Sequence, residues 1–200
     1  MEITVIGTPD PQYHPLSNIA ELGGSICGHG LVYTQDHDRL LALRKQSGPL
    51  LICYMDLWER PLTAAQADAL KEYMQSGGNI LSIHNGISLQ DTPGLTELTG
   101  ARFTQHPPME DLLIKPVAGH PVTDGVQEFS VFDEPYHYEI TGDIKTLAHY
   151  DWEGKSIPAA WEHAYGKGLL IYLMPGHDKS AFQSGQYRQL IRNSVNYLIS

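Results

Sequence analysis

"LTAAQADALKEYMQSGGNILSIHNG", residues 62–86, holds a helix, its stop, a strand and a polar turn in one unbroken run. Thr63 is placed to cap the helix, and Gln66, three residues on, completes a capping box. Ala67, Leu70 and Met74 recur at helical spacing and predict one buried face. Gly77 and Gly78 end the helix, because the left-handed backbone that closes a helix suits glycine. The run from Ile80 to Ile83 then reads as a buried strand, and it stops at His84. Asn85 and Gly86 both tolerate positive φ, so a sharp turn is available there.

The same alternation extends towards the N-terminus. Residues 2–7, 30–35 and 50–55 read as strands, with helices expected over 16–27 and 38–46 and a stop at Gly48-Pro49. Apolar strands alternating with helices predict an α/β fold of flavodoxin-like, doubly wound type, with a mostly parallel sheet and helices on both faces. The second half departs from this pattern. Short β-like pieces between residues 101 and 152 predict an antiparallel β extension, and "YGKG" (165–168) predicts a hairpin whose second strand, 169–173, returns to the central sheet. Residues 187–200 form an amphipathic helix with Leu190, Ile191, Ser194, Val195 and Leu198 in register. No repeat or linker interrupts the 200 residues, which suit one domain.

Composition narrows the function. The formal charge is −10, and no basic stripe is present, which argues against nucleic acid as a partner. No apolar run approaches the roughly 18 residues of a membrane span, and "MEITVIGT" lacks a secretory signal. Cys27 and Cys53 have no metal-ligand spacing, so a reduced, cytoplasmic protein is expected. The ten histidines are the unusual feature, since imidazole both ligates metals and moves protons near neutral pH.

Ligands of open parallel sheets bind at the carboxyl ends of strands. That rule selects His84 and Asn85 after strand 79–83, and His177 with Asp178 after strand 169–173. It also selects Tyr13 and His14 beyond the first strand. "QHPP" contributes His106, and "FDEPYHYE" contributes Glu134, Tyr136 and His137. His84, His177, Asp178 and Glu134 are the expected catalytic groups, and His84, His177 and His137 the expected metal ligands. Tyr13, His14, Asn85, His106, Tyr136 and His137 are expected to bind substrate. Each has a plainer reading: Asp178 also suits a helix cap, and His14 a loop.

Taken together, "LTAAQADALKEYMQSGGNILSIHNG", "LTGARFTQHPP", "GHPVTDGVQEFSVFDEPYHY" and "PAAWEHAYGKGLLIYLMPGHD" resemble the ThuA-like (trehalose utilisation) family, which has the class I glutamine amidotransferase-like fold. The resemblance runs from about residue 50 onward. It implies that His84 stands where true amidotransferases carry their nucleophilic cysteine, and that His177 lies near the place of their catalytic histidine. Where the family's first strand leads into a glycine-rich turn with a histidine pair, this chain has "TPDPQYHP", which matches His14 to one of the pair.

Amide transfer from glutamine needs a thiolate, and no cysteine lies near residue 84, so that activity is excluded. The resemblance implies carbohydrate metabolism. An enzyme hydrolysing, eliminating or isomerising a sugar or keto-sugar is expected, with a divalent metal such as Zn²⁺ or a histidine acid–base pair and no nucleotide cofactor. A noncatalytic sugar-binding or regulatory module uses the same crevice without turnover. A homodimer fits the fold class. The enzyme requires His84 and His177 to meet at one pocket.

Overall fold

The computed structural model describes residues 2–24, 29–43 and 50–200. Its strands are β1 (Glu2–Gly7), β2 (Gly30–Thr34), β3 (Leu50–Tyr54), β4 (Asn79–Ile83), β5 (Ala101–Gln105), β6 (Glu110–Pro116), β7 (Phe129–Asp133), β8 (His137–Ile140), β9 (Ile144–Trp152), β10 (Lys155–Tyr165) and β11 (Gly168–Leu173). The α-helices are α1 (Arg39–Leu43), α2 (Ala64–Gln75), α3 (Thr96–Thr99) and α4 (Gly185–Ile199).

One nine-stranded sheet runs β2-β1-β3-β4-β11-β10-β9-β6-β7, and β5 pairs with β8 in a separate ribbon. The first five strands are parallel, with Leu51 beside Ile80 and Leu170 beside Ile80 on the other flank. From β11 outward the pairing is antiparallel. This is a mixed α/β fold whose antiparallel half continues the parallel one in the same sheet. Every residue of β3 is buried, as are Ile80 to Ile83 of β4, so both faces of these strands are covered. That explains why they read as continuous apolar runs and not as alternating ones.

The helix α2 forms as its sequence dictates. The Thr63 hydroxyl accepts from the Gln66 N–H at 3.3 Å, and the Gln66 side chain accepts from the Thr63 N–H at 3.0 Å. Leu70, Tyr73 and Met74 are fully buried. The hairpin closes at Tyr165 opposite Gly168, and β11 lies beside β4 as expected. In α4 the expected face is the buried one, with Leu190, Ile191, Ser194, Val195 and Leu198 all inward.

The region between β1 and β2 differs from expectation. Instead of a helix over 16–27 there are two 3-10 segments, Leu16–Asn18 and Ala20–Gly24; residues 25–28 lie outside the described residues. Pro15 offers no side-chain cap at the start, and Gly23-Gly24 weakens propagation at the other end. The helix expected over 38–46 is seen as Arg39–Leu43, and its Gly48-Pro49 stop falls outside the described residues. Among the described residues no helix is long and apolar enough to cross a membrane.

Candidate functional site

Four neighbouring parallel strands, β1, β3, β4 and β11, deliver one polar segment each at their carboxyl ends. These carry His14, Asp56, His84 and His177. Glu134 and Tyr136 arrive from the link between β7 and β8.

His84 has φ 47°, a left-handed conformation unusual for a side-chain-bearing residue, directly after the extended Ile83. It opens a 3-10 segment, His84–Asp91, and makes a sharp turn whose positive φ falls on His84 itself and not on the Asn85-Gly86 pair expected to take it. Gly86 is required there: a Cβ would lie 2.4 Å from Ser82 Oγ and 2.7 Å from the Cys53 carbonyl. The segment is tied to the end of β3 by side chains. Asn85 Nδ2 donates to the Tyr54 carbonyl at 3.1 Å, and the Ser88 hydroxyl donates to Met55 O and accepts from Leu57 N. These bonds place Asp56 and Trp58 beside the turn.

The His84 ring is wholly buried. Its neighbours are polar, not aliphatic. Nδ1 donates to the Met174 carbonyl at 2.8 Å, which leaves the Nε2 lone pair facing the cluster. The Tyr136 hydroxyl donates to that Nε2 at 3.1 Å, and Glu134 Oε2 lies 3.4 Å from it. The ring centroids of His84 and His177 are 5.7 Å apart, so the two imidazoles meet.

His14, 4 % exposed, is oriented from behind. Its Nδ1 donates to Asp56 Oδ2 at 2.9 Å, and its Nε2 faces His177 Nδ1 at 3.2 Å. Glu134 Oε2 stands 3.2 Å from the same His177 nitrogen. Burial lowers the His14 pKa, and the Asp56 bond only partly offsets this, so the ring is neutral and an available ligand. The Glu134 bond raises the His177 pKa against the opposing effect of burial. Burial opposes ionisation of Glu134, but the bond from His177 and the closeness of the His84 ring together outweigh it and hold the carboxyl well below the usual range.

Asp133 organises the assembly from beneath. It is fully buried; Oδ2 accepts from Gly176 N at 2.7 Å and His177 N at 3.3 Å, and Oδ1 accepts from Glu134 N at 2.8 Å. One carboxylate thus fixes the backbone at both Glu134 and His177. Burial raises its pKa even though His84 and these N–H groups favour the charge.

The ligand-capable atoms of His14, His84, Glu134 and His177 all lie within 4.8 Å of one another. Three imidazoles and one carboxylate are a donor set suited to zinc and similar divalent ions. Asp56 behind His14 and the Met174 carbonyl behind His84 are the outer partners that fix imidazole ligands in one tautomer. A pocket of about 710 Å³ opens over the cluster, lined by residues 8–14, Asp56, Trp58, Glu59, Arg60, Phe103, His106, Glu134, Tyr136 and His177.

Several expected residues fall elsewhere. His137 is not brought to the cluster; its ring meets Trp152, with centroids 5.9 Å apart, and His14 takes the place expected of it. Alternate residues of an extended chain face opposite ways, so Glu134 and Tyr136 point inward and His137 points away. Asp178 accepts from Ser180 N and turns the loop; it is not the helix cap of its plainer reading, because Ser184 caps α4. Asn85 is a buried strut. Tyr13 lines the pocket at 59 % exposure, and His106 lines it with Nδ1 3.7 Å from Glu134 Oε1. Sequence reasoning missed Asp56, although it lies just beyond β3 and the strand-end rule that selected His84 reaches it too.

The ThuA family profile, described as trehalose utilisation, matches residues 43–198. The chain belongs to the ThuA family. Solved structures agree at the level of fold. A putative ThuA-like protein from Bacteroides uniformis ATCC 8492 superposes with TM-score 0.79 at 20 % identity, over all of this chain and 91 % of the other. A second, from Parabacteroides merdae ATCC 43184, gives 0.78 at 14 % identity, over 100 % and 90 % of the two chains. A cytoplasmic protein from Salmonella typhimurium LT2 gives 0.74 at 13 % identity with both chains fully covered. No curated protein matches the sequence. The ThuA match starts at the end of α1 and includes three of the four clustered residues, leaving His14 upstream of it.

Proposed function

We propose that the His14–His84–Glu134–His177 cluster binds one divalent metal ion such as Zn²⁺. On this reading the protein is an enzyme of carbohydrate metabolism that hydrolyses, eliminates or isomerises a sugar or keto-sugar. The carrying observation is the convergence of four ligand-capable atoms within 4.8 Å: His14, Glu134 and His177 line one pocket, and His84 joins them from a wholly buried position. The family description, trehalose utilisation, supports the substrate class.

A bound divalent ion supplies a Lewis acid for a carbonyl and a more acidic water. The residues do the rest. Asp56 behind His14 and the Met174 carbonyl behind His84 fix each ring with Nε2 towards the cluster. The Tyr136 hydroxyl, whose pKa burial raises well above its ordinary value, stays protonated and stands ready to donate a proton at the floor. His106, at the pocket wall, can take a proton from a ligand hydroxyl. Trp58 and Phe103, with centroids 5.2 Å apart, offer apolar faces to a sugar ring. Glutamine amide transfer stays excluded, because the residue at the turn is an imidazole.

The same aromatic wall supports a second reading, a noncatalytic sugar-binding module. A GH42 β-galactosidase contains this fold over 30 % of its chain, at TM-score 0.66 and 13 % identity. Also on the proposed reading, the helices wrap both faces of the parallel half in doubly wound fashion, the partner is a small carbohydrate, the compartment is cytoplasmic and the quaternary state is a homodimer. Metal analysis of protein purified without chelators, followed by a panel of keto-sugars, decides between the two functions. One equivalent of metal, lost in His14→Ala and His177→Ala along with turnover, is the expected result. Sugar binding with neither metal nor turnover would establish the module instead.

A further inference from the structure

The pocket carries more carboxylates than cations. On the floor Glu134 is paired with His177, whereas Asp56 bonds the neutral ring of His14. At the mouth, Asp10 and Glu59 are exposed carboxylates, and Arg60 is the one Lys or Arg side chain among the described lining residues. The whole chain adds a field of the same sign, at −10.

The mouth also lacks the usual means of holding a phosphate. Pockets for phosphate use clustered backbone N–H groups, glycine-rich turns or paired basic side chains. Here Pro9 and Pro11 flank Asp10 and carry no N–H. Asp10 itself has φ 45°, a left-handed backbone that aspartate tolerates, in the loop that forms this wall. Trp58 and Phe103, with ring centroids 5.2 Å apart, line the same pocket. Carboxylates that accept hydroxyl protons, set against aromatic faces, suit a ligand rich in O–H and C–H and free of charge.

We propose that the mouth selects uncharged sugars and rejects phosphorylated or carboxylated ones, with Asp10 and Glu59 setting the selectivity and Trp58 the platform. This rests on the reading that the pocket takes a carbohydrate, and it is independent of whether the floor holds a metal. The pocket volume of about 710 Å³ falls within the roughly 300–1,000 Å³ of small-molecule clefts.

Isothermal titration of the full chain tests it, with glucose, sucrose and trehalose against the 6-phosphate of each, at low and at physiological salt. At least one neutral sugar is expected to bind about tenfold more tightly than its phosphate at low salt, with the gap narrowing as salt screens the mouth. Glu59→Gln and Asp10→Asn are expected to narrow it severalfold at constant salt; both positions are exposed, so the fold is not at stake. Trp58→Ala should weaken the neutral sugar and its phosphate alike. A phosphate that binds as tightly as its neutral parent overturns the proposal, as does a gap unmoved by salt and by both substitutions, or no binding by any neutral sugar of the set. Metal content is measured on the same samples. Protein without metal that still prefers the neutral sugar sinks the metal-enzyme reading and upholds the selectivity.

Discussion

Asp56 Oδ2 lies 2.9 Å from His14 Nδ1, and the two residues follow neighbouring parallel strands, β3 and β1. The bond fixes the ring so that Nε2 faces His177 and the cluster. A carboxylate behind an imidazole ligand raises its basicity and sets its tautomer. Asp56→Asn is therefore expected to lower metal affinity about 10- to 100-fold, with one equivalent still bound at saturation. Competition titration against a chromogenic chelator measures this. An affinity unchanged in Asp56→Asn would show that the bond does not serve a metal ligand.

The left-handed backbone at His84 gives a prediction with a sign. Removing the ring leaves the buried Met174 carbonyl without its donor, so His84→Ala should lose about 2–3 kcal/mol in urea unfolding. Alanine keeps the strained φ of 47°, whereas glycine relieves it. His84→Gly should thus be roughly 0.5–1 kcal/mol more stable than His84→Ala, once the greater freedom of its unfolded chain is counted. At an ordinary strand end the order would be reversed. Both variants should lose metal uptake.

Much of the fold was legible because it is written in local patterns. The Thr63–Gln66 capping box, the buried face of α4 and the β10–β11 hairpin each involve residues a few positions apart, and each formed as read. The site was legible only in part. His84 and His177 could be selected because both end apolar strands. Asp56 meets His14 across 42 positions and Asp133 meets Gly176 across 43, pairings that depend on strand order and not on spacing. His137 was misassigned because "EPYHY" does not reveal which of its alternate residues face inward. Burial of His84 was equally invisible, since it depends on Tyr136 and the Met174 loop closing over the turn.

Metal uptake should depend on pH through His177 and not through His14. His177 has its pKa raised by Glu134 and is protonated below that raised value; His14 has its pKa lowered by burial and is already neutral there. An incoming ion must displace the His177 proton. Affinity is expected to fall as pH drops below the raised His177 pKa and to level off above it. Titrations in buffers of different ionisation enthalpy should show about one proton released per ion near the ordinary histidine value of 6.5, falling towards none as pH rises. Glu134→Gln removes the group that raises His177, so its proton release should fade at lower pH than in the parent. Proton release that is unaltered by Glu134→Gln would contradict the ion pair as the source.

Cys53 lies at the end of β3, near the turn where an amidotransferase would carry its nucleophile, and its chemistry runs the other way. The residue is fully buried, and burial pushes its thiol pKa up to about 12. At pH 8 the thiolate fraction is then roughly one in ten thousand, and solvent has no path to the sulfur. In a Cys27→Ser background, reaction with a disulfide reagent should be limited by opening of the structure and should accelerate across the urea transition in step with unfolding. A glutamine-derived alkylating reagent should leave Cys53 unmodified in the folded protein, as intact mass would show. Rapid stoichiometric labelling under native conditions would mean that this thiol is activated and would reopen thiol chemistry at the strand end.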